Sequence, residues 1–265
     1  MHKHQGFAEV NGTRLYYEMA GSGDPLVLIH GNTLNLNMWD DQFWVFSREY
    51  QVIRYDMRGF GKSALPTGES YAQADDLMAL LHHLGLVHAH VLGLSRGGVV
   101  AIDFALTYPK ETDTLIVVDT GLRGFQMKEF GAFASQVRSV GKISGIEVAR
   151  RNWLGGPLLV SALGNPAVAA RVKRMVANYS GWHWVNDESL RILDPLPIQQ
   201  LGTISIPTLI IIGEHDLPDF HAIAETLHQG ICHAHKVTIP SVGHMSNMED
   251  PECFNEMVLE FLAGK

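Results

Sequence analysis

The stretch Val91-Leu92-Gly93-Leu94-Ser95-Arg96-Gly97-Gly98 decides the fold. An apolar, strand-like run from His90 to Leu94 leads into Gly-x-Ser-x-Gly, and a helical pattern from about Gly98 to Tyr108 follows it. A serine raised on a sharp strand-to-helix turn leaves no room for a side chain on the residues two before and two after it, which is the physical reason for glycine at 93 and 97. Ser95 is thereby a candidate nucleophile. A five-residue pattern is common by chance, so the flanking chain must carry the assignment.

Working outward, the sequence opens with two strand-like stretches, Phe7 to Val10 and Thr13 to Met19, around Asn11-Gly12, the dipeptide of a tight hairpin turn. Apolar runs at Leu26 to Ile29, Val52 to Tyr55, His90 to Leu94, Leu115 to Val118, Thr208 to Ile212 and Lys236 to Ile239 then alternate with helical patterns near Met38 to Arg48, Tyr71 to Leu84, Gly98 to Tyr108, Ala222 to Gln229 and Pro251 to Ala263. Alternation of this kind predicts an α/β architecture, a mostly parallel eight-stranded sheet flanked by helices. It breaks between about Leu122 and Asp194, where helical segments rich in Arg, Gly and Trp occur without a good strand. That predicts a helical cap, 122–194, inserted into a core made of 1–121 and 195–265.

Bulk properties narrow the function. The 265 residues are 46% hydrophobic and 18% charged, a globular composition of one large domain. The net charge of −8, with no Lys/Arg cluster, lacks the footprint of a nucleic-acid surface. No apolar run is long enough to span a bilayer and the N-terminus shows no signal core, so a cytoplasmic protein acting without a membrane, as monomer or homodimer, is expected. Cys232 and Cys253 are too few for a disulfide framework and are expected to be buried as small hydrophobes. Gly59-Phe60-Gly61-Lys62-Ser63 lacks the glycine a phosphate loop needs, since Asp56 occupies that position. The 14 histidines are not matched by a carboxylate or cysteine set at ligand spacing, and neither metal nor organic cofactor is expected.

Four segments converge at strand ends. Besides Ser95 there are His30-Gly31-Asn32-Thr33, Gly213-Glu214-His215-Asp216 and Gly243-His244-Met245. His244 is the candidate base and Asp216 the candidate acid that orients it. Asp119 also ends an apolar strand and is the rival acid. Asp219 is a third candidate, although Pro218 suggests that it begins a helix. The backbone N–H groups of Asn32 and Arg96 are candidate oxyanion donors. His30 and His215 are expected to support these positions rather than to react. Trp153, Trp182 and Trp184 are candidates for a substrate pocket or, equally, for packing within the cap.

The order Ser, Asp, His and the placement of each at a strand end resemble the α/β-hydrolase superfamily over essentially the whole chain from Phe7. Arg54-Tyr55-Asp56-Met57-Arg58-Gly59-Phe60-Gly61-Lys62-Ser63 is similar to the stretch that follows the family's fourth strand. Together with Gly243-His244-Met245-Ser246-Asn247-Met248-Glu249-Asp250-Pro251, it is similar to capped esterases and 3-oxoadipate enol-lactonases. The resemblance implies a serine hydrolase that cleaves a small carboxylic ester or lactone through an acyl-enzyme. A carbon–carbon bond hydrolase of the meta-cleavage type, a perhydrolase-like activity and a non-catalytic ligand receptor on the same fold stay open. Arg96 departs from the smaller or uncharged residue that many relatives carry after the nucleophile. Its side chain is expected in an ion pair under the cap, with a clamp for a substrate carboxylate as the alternative.

Overall fold

The computed structural model describes residues 2–264; Met1 and Lys265 lie outside the described residues. Eight strands form one sheet: β1 (Lys3–Val10), β2 (Thr13–Ala20), β3 (Pro25–Ile29), β4 (Gln51–Tyr55), β5 (Ala89–Leu94), β6 (Thr112–Val118), β7 (Thr208–Gly213) and β8 (His235–Ile239), in the order β1-β2-β4-β3-β5-β6-β7-β8. The β1–β2 and β2–β4 pairs are antiparallel and all others parallel. Val10 pairs with Thr13, so Asn11 and Gly12 make a two-residue turn with φ of 48° and 68°, the double positive φ that Asn-Gly tolerates. Every residue of β5 and β7 is buried, as a parallel sheet covered on both faces requires.

The expected elements are all present, with shifted ends. The helix expected from Met38 divides into a 3₁₀ turn, Leu36–Trp39, and a helix, Asp40–Phe46. Arg54 fixes this junction by donating to the Leu36 carbonyl and to Asp40. The helix after Ser95 starts at Arg96 rather than Gly98: Ser95 stands at the N-cap position, and its carbonyl accepts the Val99 N–H at 3.2 Å. The next-to-last long helix starts at Pro218, four residues before the apolar spacing begins, as proline at the first helical position permits. Cys232 is exposed and Cys253 half-buried, against expectation. The reason is local: Cys232 lies in a turn next to His233, whose φ is 63°, and not on a strand.

Between β6 and β7, which are sheet neighbours, the chain forms the helices Glu129–Ser144, Ile146–Leu154, Val160–Gly164, Pro166–Asn178 and Trp182–Val185. Ala149, Trp153, Val172, Val176, Tyr179 and Trp184 are buried among them. Polar contacts tie this segment to the rest of the molecule. Arg171 pairs with Asp41 at 2.5 Å, Arg191 pairs with Asp75, and Ser161 donates to Glu249. Tyr71 and Leu190 form an isolated parallel bridge that draws the segment's end to the start of the helix Gln73–His83.

Candidate active site

Ser95 stands between β5 and the helix Arg96–Thr107 with φ 56° and ψ −114°, a conformation that a non-glycine residue holds only when its surroundings enforce it. Its N–H donates to the Val118 carbonyl at 2.9 Å, and Thr120 Oγ1 donates to its carbonyl at 3.3 Å. A Cβ on Gly93 would collide with the Gly97 carbonyl, and one on Gly97 with the Ile29 carbonyl. Backbone packing on three sides therefore demands both glycines. The hydroxyl sits at the N-terminus of a twelve-residue helix, whose first N–H groups have no intrahelical partner and whose dipole favours negative charge.

His244 lies in the loop after β8, buried, with Phe220 packed on its ring at 4.4 Å between centroids. Its Nδ1–H donates to Asp216 Oδ2 at 2.9 Å. Its Nε2 is buried without a hydrogen-bond partner among the described residues. Asp216 follows β7, and its other oxygen accepts from the Leu217 N–H at 2.7 Å. Two backbone bonds hold the histidine loop, since Glu249 accepts from the Gly243 N–H at 3.0 Å and from the Met245 N–H at 3.2 Å.

The rival acids are engaged elsewhere. Asp119 accepts from the Gly213 N–H at 2.8 Å and from Ser246 Oγ at 2.6 Å, and is fully buried. Burial, and then the nearby charge of Asp216, push its carboxyl well above the usual range. Asp219 accepts from the N–H groups of Lys128 and Phe130 at 3.0 and 2.8 Å and so caps the start of the helix Glu129–Ser144. His30 Nδ1–H donates to the Gly31 carbonyl at 2.8 Å and its Nε2 accepts from the Met57 N–H at 3.0 Å, while burial lowers its pKa to about 4. It is a neutral strut under the Gly31-Asn32 loop. His215 is exposed, and its backbone N–H, not its ring, joins the histidine loop through the Val242 carbonyl at 2.8 Å.

Ser95 opens into two spaces. A cavity of about 270 Å³ is bordered by Asn32, Ser95 and Arg96, with apolar walls that include Val99, Leu122, Met127, Phe130, Leu190 and Phe220 and with Gln73 and Arg123 as polar residues. A much smaller cleft holds Ser95 with His244, Asn32 and Trp153. Trp153 and Trp184 meet Asn32, Arg96 and Glu188 around a third space. Trp182 does not join them. It follows Gly181 in the left-handed conformation, and its ring stands edge-on to His183 at 4.9 Å, on no cavity beside Ser95.

The Arg96 side chain turns to Glu188, with Nη2 at 2.6 Å from both carboxylate oxygens. Tyr71 Oη donates to the same carboxylate at 2.5 Å, and His183 Nε2 lies 3.3 Å from it. Burial alone would raise the Glu188 pKa. The charge of Arg96 and the hydrogen bonds from His183 and Arg96 outweigh it and hold the carboxyl well below the usual range. Glu188, Gln73, Phe130 and Phe220 had no place in the sequence expectations. Nothing local marks Glu188 as the partner of a residue so distant, and Gln73 at the first position of an amphipathic helix reads as a solvated polar residue.

A family model described as alpha/beta hydrolase fold matches residues 24–251. The chain belongs to the α/β-hydrolase family. Among other members, 3-oxoadipate enol-lactonase 2 of Acinetobacter baylyi is 31% identical over 249 residues, covering 92% of this chain and 91% of that protein. The enol-lactonase of Burkholderia xenovorans LB400 superposes with a TM-score of 0.84 at 25% identity, covering 97% of this chain and all of the other. A thermophilic esterase from Thermogutta terrifontis superposes with a TM-score of 0.81 at 26% identity, covering 98% of each. In this α/β-hydrolase chain no helix among the described residues is long and apolar enough to cross a membrane.

Proposed function

We propose that this chain is a serine hydrolase that cleaves a small carboxylic ester or lactone through an acyl-enzyme. One observation carries the reading: the His244 ring is anchored at Nδ1 by Asp216 while its Nε2 is left without a partner, in the same cleft as the strained Ser95. A base oriented on one nitrogen and open on the other is what activation of a serine hydroxyl needs. Relatives that are enol-lactonases and an esterase support the same class of bond.

In this mechanism His244 Nε2 takes the proton of Ser95 Oγ as the oxygen attacks the carbonyl carbon. Negative charge grows on the carbonyl oxygen, where the backbone N–H groups of Arg96 and Asn32 receive it; loss of one such donor typically costs about 3 kcal/mol in the transition state. Asp216 keeps the Nδ1–H tautomer and stabilises the imidazolium. The imidazolium protonates the departing oxygen, the acyl group stays on Ser95, and water repeats the cycle to release the acid. Helices 122–194 act as a cap whose Phe130, Trp153 and Trp184 limit the substrate's size.

The test is covalent. Wild-type protein should take one fluorophosphonate label at Ser95 and hydrolyse p-nitrophenyl acetate, and Ser95→Ala should do neither while unfolding at the wild-type temperature. Turnover by a correctly folded Ser95→Ala protein would overturn the proposal.

A further inference from the structure

Gln73 is 3% exposed and borders the larger cavity beside Ser95, yet neither Oε1 nor Nε2 of its carboxamide has a hydrogen-bond partner among the described residues. A buried amide with both ends unmet is rare in a native fold and calls for a compensating role. Its position is fixed by the backbone: the Tyr71 N–H donates to the Ser189 carbonyl at 3.2 Å and the Arg191 N–H to the Tyr71 carbonyl at 2.8 Å, which sets the start of the helix Gln73–His83 against Leu190.

The charges around the same cavity cancel. Arg96 is paired with Glu188 at 2.6 Å and Arg123 with Asp103 at 2.7 Å, and these two arginines are the only cations among its lining residues. Each guanidinium charge is thus balanced by a carboxylate, and an anionic group entering there would meet no cation lacking its own counter-ion, although Arg96 Nε, like the Gln73 carboxamide, is buried without a hydrogen-bond partner among the described residues. His244 does not line this cavity; it borders the small cleft that shares Asn32 and Ser95 with it. A leaving oxygen must reach His244, so the larger cavity is the place of the acyl group.

We infer that Gln73 determines specificity by pairing with an uncharged hydrogen-bonding group, an amide, ketone or hydroxyl, at the far end of the substrate's acyl chain, and that the cavity discriminates against an acyl chain ending in a carboxylate. The inference rests on the reading of Ser95 as nucleophile. A carboxamide can donate and accept at once, so a primary amide on the substrate answers both of its unmet atoms. The apolar walls hold the methylene chain between that amide and the ester carbonyl.

The experiment uses p-nitrophenyl esters of succinic, glutaric and adipic acid whose far end is the primary amide, the free carboxylate or a branched-alkyl isostere. For wild-type protein, the amide should exceed both isosteres in kcat/KM by roughly tenfold or more at the chain length that reaches Gln73, mainly through KM. Gln73→Leu should bring the amide and alkyl esters to within about twofold of each other and should raise the melting temperature, because an unmet buried amide is replaced by an apolar group of similar size. Ester turnover with alkyl or carboxylate chains preferred at every length would overturn the inference alone, as would an amide preference that survives in folded Gln73→Leu. Absence of both turnover and Ser95 labelling in the wild type would overturn the proposed function and this inference together.

Discussion

Glu188 directs both carboxylate oxygens at Arg96 Nη2, 2.6 Å away, across 92 residues of chain. The pair joins the helical segment between β6 and β7 to the residue that follows Ser95.

Glu188→Gln should leave the Arg96 guanidinium without its counter-ion. Removing one member of a fully buried pair typically destabilises by about 3–5 kcal/mol; this pair is only partly buried, so chemical denaturation should show a smaller loss. The freed charge should also improve kcat/KM for acyl chains ending in a carboxylate. Because the folded state holds the Glu188 carboxyl below its ordinary pKa, its contribution to stability is complete above the usual carboxylate range and is lost as pH falls through the folded value. Wild-type protein should therefore lose stability more steeply than Glu188→Gln on acidification.

Asp216→Asn should lower kcat by about 10⁴, the effect of fixing the wrong imidazole tautomer. Asp119→Asn should have a smaller effect on kcat, since Asp119 serves Gly213 and Ser246 instead of His244. Steady-state kinetics of the two variants on one ester decide the matter, and a larger loss for Asp119→Asn would contradict the assignment.

Gly97→Ala should be poorly tolerated. The new methyl group would enter the Ile29 carbonyl, backbone that cannot rotate aside, and a loss of about 3 kcal/mol or more is expected. Urea unfolding should detect it, with a fall in fluorophosphonate labelling as Ser95 shifts.

Glu249→Ala should lower kcat about tenfold with a smaller change in KM, because two backbone N–H groups flanking His244 lose their acceptor. Ser161→Ala removes only the third bond to the same carboxylate and should lower kcat less. Equal losses would show that Glu249 acts through Ser161 and not through the histidine loop.

The parallel part of the sheet was legible because strands such as β3, β5 and β7 are largely apolar runs and the candidate groups follow strand ends within a few residues. Asn11-Gly12 marked the hairpin for the same local reason. Strand ends alone could not separate Asp216 from Asp119, since both follow apolar strands; the side-chain directions that aim one at His244 and the other at Gly213 and Ser246 arise only in the packed sheet. Glu188 and Gln73 were invisible for a related reason. Ion pairs across many tens of residues have no periodicity, and a buried glutamine at a helix start reads like an exposed one. Trp182 and Trp184 look equivalent in sequence, yet the short helix that carries them points only the second toward Trp153.

His30 gives the chemistry of this molecule an unexpected simplicity. Both of its ring nitrogens are occupied by backbone groups, and it takes up a proton only near pH 4. With both nitrogens engaged and burial holding the ring neutral, His30 should affect the rate through the shape of the loop beneath Asn32 and not as a proton carrier.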